Sequence, residues 1–316
     1  MASRSPSTSS TSSRVEGITS HLRVLAILAL LALTIAGCGG EDGGDAPGGG
    51  KNPLVDEAGE PPYVNALEVE PASGDILMAT NTGLYRIPKA GDRPERMTST
   101  YTSDTQPFPV GAEITFAAVG PRQLIGSGHP DDDAKQPEFL GVIRSEDSGK
   151  TWRSISGLGE LDLHAVRSRK KRLLGFDAGG LLLVSQDEGN TFDERAPPGT
   201  GLDLAVSPTD PERLVATTDV QVYRSKDGGK TWRSVDSAEF ARLAWATDGK
   251  LYRADRSGQV KVSTDEGQTF TDGGNVGGEP WALTAVDDGA VLCALKDGTV
   301  MVSRDGGKSW QVRAKA

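Results

Sequence analysis

The chain has 316 residues, 34 Lys and Arg against 44 Asp and Glu, and a net charge of −10. That acidic balance argues against nucleic acid as a partner, because phosphate contacts need a basic surface. Two cysteines, Cys38 and Cys293, leave no room for a disulfide framework.

Residues 1–37 read as a secretory signal. Arg14 and Arg23 precede an apolar run at 24–33 that is too short for a bilayer span. The segment ends Ile35-Ala36-Gly37-Cys38, which resembles the lipobox of bacterial lipoproteins. The resemblance implies cleavage before Cys38 and acylation of its thiol, which would anchor the chain on the extracytoplasmic face of the cell membrane. Residues 38–62 are rich in Gly, Pro and acids with no apolar period, and read as a flexible tether. Its reach is about 25–30 Å. Without 1–37 the chain keeps 31 basic and 43 acidic residues, a net charge of −12.

Residues 63–316 hold short alternating strands. In the first unit these fall at 64–69, 75–79, 84–87 and 96–99. Five later units each carry one eight-residue box. They begin Ser145-Glu146-Asp147-Ser148-Gly149-Lys150-Thr151-Trp152 and recur at Ser185, Ser225, Ser263 and Ser303. The starts lie 40, 40, 38 and 40 residues apart, a spacing that signals a repeat architecture. Each box has the composition of a turn. Its Asp accepts backbone N–H groups, its Gly supplies positive φ, and its closing Trp or Phe brings apolar surface to a packing seam. These positions are Asp147, Gly149 and Trp152; Asp187, Gly189 and Phe192; Asp227, Gly229 and Trp232; Asp265, Gly267 and Phe270; Asp305, Gly307 and Trp310.

The pattern S-x-D-x-G-x-T-W resembles the Asp-box repeat of sialidases, sortilin-type receptors and photosystem II assembly factors. The resemblance covers about residues 60–316 and implies an all-β fold, a β-propeller whose boxes join the third and fourth strands of each blade. Strand counting gives six four-stranded blades starting near 63, 112, 161, 202, 240 and 280. A seventh would have to come from residues that read as loop.

Two long loops are expected over the face opposite the boxes, at 91–111 and at 126–139. The second contains His129, Asp131, Asp132 and Asp133. His164 lies in the third inner strand, level with Leu67, Ala117, Leu204, Leu243 and Thr284, most of them apolar. The candidate ligand face is therefore His129, Asp131, Asp132, Asp133 and His164 at the channel mouth, set against the plainer reading of a solvated acidic turn and a core histidine. Neither HxH nor CxxC spacing occurs, so no metal and no cofactor is expected. Cys293 sits in an apolar strand and reads as core.

Tyr85-Arg86-Ile87-Pro88 looks like the sialidase motif that carries a carboxylate-binding arginine. Repeat alignment puts Arg86 on a third strand instead, where Arg224 stands in the fourth blade. The inner strands offer only Arg167 and Arg242 as arginines. Glu113, Asp162 and Asp203 begin inner strands and are the carboxylates available for glycosidase chemistry, which needs a pair at a set separation. The layout also resembles bacterial Asp-box lipoproteins labelled glycosyl hydrolases. A scaffold repeat does not report chemistry. The expectation is a monomeric, membrane-anchored binding or assembly module for a protein or glycan, with a sialidase-like glycoside hydrolase as the alternative.

Overall fold

The computed structural model describes residues 62–102, 113–130 and 137–315, and the backbone of 107–109. All lie in the unit Gly50–Ala316. The expected signal, Cys38 and nearly all of the tether fall outside the described residues, as do Asp131, Asp132 and Asp133.

Short strands joined by tight Gly, Asp and Pro turns pair most readily with their sequence neighbours. They do so here in six consecutive sheets, each with four chain-consecutive antiparallel strands at its heart. Blade 1 consists of Val64–Val69, Ile76–Thr80, Gly83–Ile87 and Glu95–Arg96. The innermost strands of the next five blades are Glu113–Gly120, Leu163–Arg169, Asp203–Val206, Arg242–Trp245 and Pro280–Ala285. The protein is a six-bladed, all-β propeller. Each innermost strand starts within two residues of its expected position.

One segment departs from expectation. Residues 91–111 read as loop, but Thr100–Thr102 pairs in parallel with the outer strand Thr151–Ser156 and antiparallel with Pro107–Pro109. Blade 2 is therefore six-stranded. The physical reason is the bare edge of an outer strand, whose N–H and C=O groups call for partners. Thr100 N donates to Lys150 O at 2.8 Å, and Tyr101 is buried. Prolines 107 and 109 suit the new edge because it needs no donor there.

The ring closes by side-chain packing. Val64, Leu67, Met78 and Tyr85 of blade 1 pack with Ala290, Leu292, Ala294 and Val300 of blade 6. Arg313, on the last strand Gln311–Ala314, donates to Pro88 O and Lys89 O at 2.9 Å. Cys293 is fully buried and free, and burial pushes its thiol well up.

The boxes form the turns between third and outer strands, and five share one bonding scheme. In the third, Ser225 Oγ donates to Asp227 Oδ1 at 2.8 Å and accepts from Gly229 N at 2.8 Å. Thr231 N donates to Asp227 Oδ1 at 2.9 Å, and Thr231 Oγ1 to Asp227 Oδ2 at 2.6 Å. The N–H that serves the Asp in every box is four residues on, joined in three boxes by one three residues on. The box glycines all have positive φ, from 75° at Gly267 to 92° at Gly229.

Candidate functional site

In an antiparallel blade the third-to-outer turn lies at the end where the innermost strand finishes. The boxes thus occupy one face and the starts of the six innermost strands the other. Those strands line a central cavity of about 860 Å³. Its lining runs from the strand starts to the box face, and the end opposite the boxes is termed its mouth.

The second strand of blade 2 runs Gln123–His129, so His129 ends a strand instead of lying in the loop expected from residue 126. Its pairing partner across the blade is Glu113, the first residue of the innermost strand. Gly126 and Gly128 permit the extension: a Cβ on either would sit 2.4 or 2.1 Å from a carbonyl oxygen of the neighbouring strand. Ser127 Oγ accepts the N–H of Leu163 at 2.9 Å and ties this strand to blade 3.

That tie brings together three residues singled out separately. His129 Nε2 and His164 Nε2 each lie 3.0 Å from Asp162 Oδ2. Asp162 is buried, whereas the His164 side chain is 61 % exposed. His164 leaves the core because the strand bulges directly after it, with Ala165 at φ 52°. The residues expected level with it, Leu67, Leu204 and Leu243, are buried.

His129 Nδ1 lies 3.1 Å from Glu138 O, and a carbonyl can only accept. With Nε2 facing a carboxylate, the ring is best satisfied with both nitrogens protonated. The bond to Asp162 accordingly raises both imidazoles above their ordinary value of 6.5. Burial pushes the Asp162 carboxyl up, but the two histidine bonds outweigh it and hold it well below the usual range. Asp162 Oδ1 is buried without a partner. The His129 ring meets Phe139 edge-on at 5.4 Å.

The other expected carboxylates behave differently. Asp203 is buried and accepts from Arg167 Nη2 at 2.6 Å, Leu204 N at 2.7 Å and Leu243 N at 2.8 Å. It is a tie between blades 3, 4 and 5. Glu113 is exposed at the mouth.

Charge also concentrates along the cavity wall. The inner strand of blade 3 contributes Arg169 as well as Arg167, so the inner strands hold three arginines with Arg242 and not two. Glu68, on the innermost strand of blade 1, also lines this space. Enclosure pushes its carboxyl up to about 7, against the pull of Arg167, Arg169 and a hydrogen bond with Thr284. The missed signal was charged residues interrupting an apolar inner strand, as at 66–69 and 166–169. Among the described residues no group of three or more His, Cys, Asp or Glu is arranged to hold a metal. Arg86 stands on the third strand of blade 1, half exposed and paired with Glu95 at 2.8 Å, away from the cavity.

A family model described as sortilin, neurotensin receptor 3, matches residues 141–258, less than half of the chain. A xyloglucanase from Hypocrea jecorina is 26 % identical over 167 residues, covering 52 % of this chain and 18 % of that enzyme. The crystal structure of a GH74 xyloglucanase from Xanthomonas campestris superposes with a TM-score of 0.52 at 20 % identity, over 80 % of this chain and 38 % of the other. An ancestral GH74 enzyme gives the same TM-score at 10 % identity, over 83 % and 39 %. The chain belongs with the β-propellers. It spans under a fifth of the curated xyloglucanase and under two fifths of either solved enzyme, and at these identities the likeness to the solved enzymes is one of fold.

Proposed function

We propose that this propeller is a ligand-binding module, carried on the extracytoplasmic face of the membrane by acylated Cys38, that receives a protein or glycan at the His129–Asp162–His164 mouth. One observation carries the reading: a buried carboxylate holds two imidazoles at the opening of a cavity of about 860 Å³. The Asp131–Asp133 run follows directly in the chain and is proposed as part of the same face. The module acts as a monomer, and its acidic surface disfavours nucleic acid.

The test is a thermal melt of residues 51–316 against oligosaccharides, peptides and cell-wall fragments. A ligand that binds only the folded state adds about 2.7 kcal/mol at 100 times its dissociation constant. The shift should vanish in His129→Ala and in Asp162→Asn. A shift that survives both removes the mouth from the reading. For the anchor, Cys38→Ala should move the protein from the membrane pellet to the soluble fraction; a variant that stays in the pellet sinks that part.

A second reading, a glycoside hydrolase, is favoured by the identity to a xyloglucanase. It requires a carboxylate free to transfer a proton, and Asp162 and Asp203 are both engaged in ion pairs. Turnover of xyloglucan or another glycan that is lost on Glu113→Gln would establish it; no turnover across a broad panel would end it.

A further inference from the structure

The cavity wall contains a cation with no anion. Arg242, first residue of the innermost strand of blade 5, lines the cavity and is partly buried. Among the described residues no carboxylate lies within ion-pairing distance of it. Its Nε is buried and has no hydrogen-bond partner. The one carboxylate whose field reaches it most strongly, Asp203, is already engaged by Arg167 and by the N–H groups of Leu204 and Leu243.

Arg167 stands near enough to repel it, and loss of solvent pulls its guanidinium down from its ordinary value. A desolvated charge left unpaired costs folding energy, so its retention calls for a compensating partner. Its neighbours supply a matching environment. Arg167 spends two nitrogens on Val166 O and Asp203 Oδ1, and Arg169 one on Trp245 O, while all three guanidiniums line one cavity. Glu68 is the acid that faces Arg167 and Arg169, and enclosure raises its carboxyl.

We propose that the cavity binds a small oxyanion, the carboxylate or phosphate of its ligand, with Arg242 as the ionic partner and Arg167 beside it. The guanidinium fork suits such a group because it can donate two parallel hydrogen bonds. The inference rests on the binding-module reading and adds the chemical class of the ligand's buried end. The mouth would then recognise the part of the ligand that remains outside.

The experiment titrates sodium acetate and inorganic phosphate into residues 51–316 at constant ionic strength set with chloride, reading the melting temperature and the heat of binding. One of the two anions should raise the melting temperature saturably, and which one does so separates a carboxylate from a phosphate ligand. Arg242→Met should weaken that binding at least about tenfold, and should melt higher than wild type without anion because the unpaired charge is gone. Arg242→Lys should retain part of the response. Equal responses to acetate, phosphate and chloride overturn the proposal, as does an undiminished response in Arg242→Met. The Asp162→Asn variant separates this failure from that of the mouth. Anion binding kept in Asp162→Asn but lost in Arg242→Met supports the buried site whatever the mouth does. Loss of anion binding alone, with ligand binding at the mouth intact, refutes only this inference.

Discussion

The carboxylates of the boxes and the carboxylate at the mouth are satisfied in opposite ways. In the boxes each Asp carboxylate is saturated. Asp187, for instance, accepts the Thr191 N–H and the Ser185 and Thr191 hydroxyls, which hold it down at about 2. At the mouth and in the cavity satisfaction is partial: Asp162 Oδ1 and Arg242 Nε are buried without partners. Repetition of one saturated turn marks residues that build the ring. Half-satisfied groups also occur elsewhere on the ring, at Arg144, Arg172, Arg224, Arg253 and Trp232, so it is their place in the cavity wall that marks Asp162 and Arg242 as open to a ligand.

The sharpest way to break that contrast is to remove a box anchor. Trp152 is 1 % exposed, and its indole donates to Gly149 O at 3.0 Å. Trp152→Ala should cost about 3–5 kcal/mol. That corresponds to a drop of roughly 10 °C in melting temperature for a domain of this size. Ser225→Ala is milder. It leaves the N–H of Gly229 without its acceptor, and should cost about 1–3 kcal/mol. Calorimetric melts of both variants check these values. A mouth substitution of comparable burial that destabilised as much would erase the distinction between the faces.

The mouth should show itself in pH dependence. Both imidazoles are raised above 6.5, so the folded state holds their protons more tightly than the unfolded chain. Their contribution is fully present below about 6.5 and is lost as pH rises through the raised values. Glu68, raised from 4.5 to about 7, acts in the same sense: its contribution is present below 4.5 and gone above about 7. Asp162 is depressed and gives way only in acid, as pH falls through its lowered value. The melting temperature should therefore fall from pH 5 to pH 8. Glu68→Gln should flatten the part of the curve below about 7, and a paired His129→Asn, His164→Asn variant the part above 6.5. A wild-type curve flat over this range would contradict both assignments.

The same contrast explains what could be read from the sequence. A box is eight contiguous residues that specify their own turn, so five copies announced themselves, and strand counting added the boxless first blade. The mouth is not local. His129 and Asp162 are 33 residues apart and meet because Ser127 ties blade 2 to blade 3. His164 joins them only through the bulge at Ala165, which no residue type in the strand announces. Each of the three was visible as a candidate, and their sharing of one carboxylate oxygen was not. The added strands at 100–102 and 107–109 were missed because two prolines in so short a span read as loop, though proline is tolerated on an edge.

The smallest expected effect lies inside the boxes, at the residue just before the glycine that all five share. Ser148, Glu188 and Glu266 occupy it with φ of 61–62°, while Gly228 and Gly306 do so at 69° and 75°. A side chain in this left-handed region costs about 1–2 kcal/mol, part of which a glycine returns through its floppier unfolded chain. Ser148→Gly should thus raise stability by about 0.5–1 kcal/mol, a gain of roughly 2 °C. The reverse change separates strain from crowding. A Cβ at Gly228 would stand 2.3 Å from Glu212 Oε2 and 2.4 Å from Arg172 Nη2. Those two groups pair at 2.6 Å, and Arg172 is buried. Gly228→Ser should therefore lose more than Ser148→Gly gains. Equal and opposite shifts would mean that backbone strain alone decides this position, and that the Arg172–Glu212 pair yields at no cost.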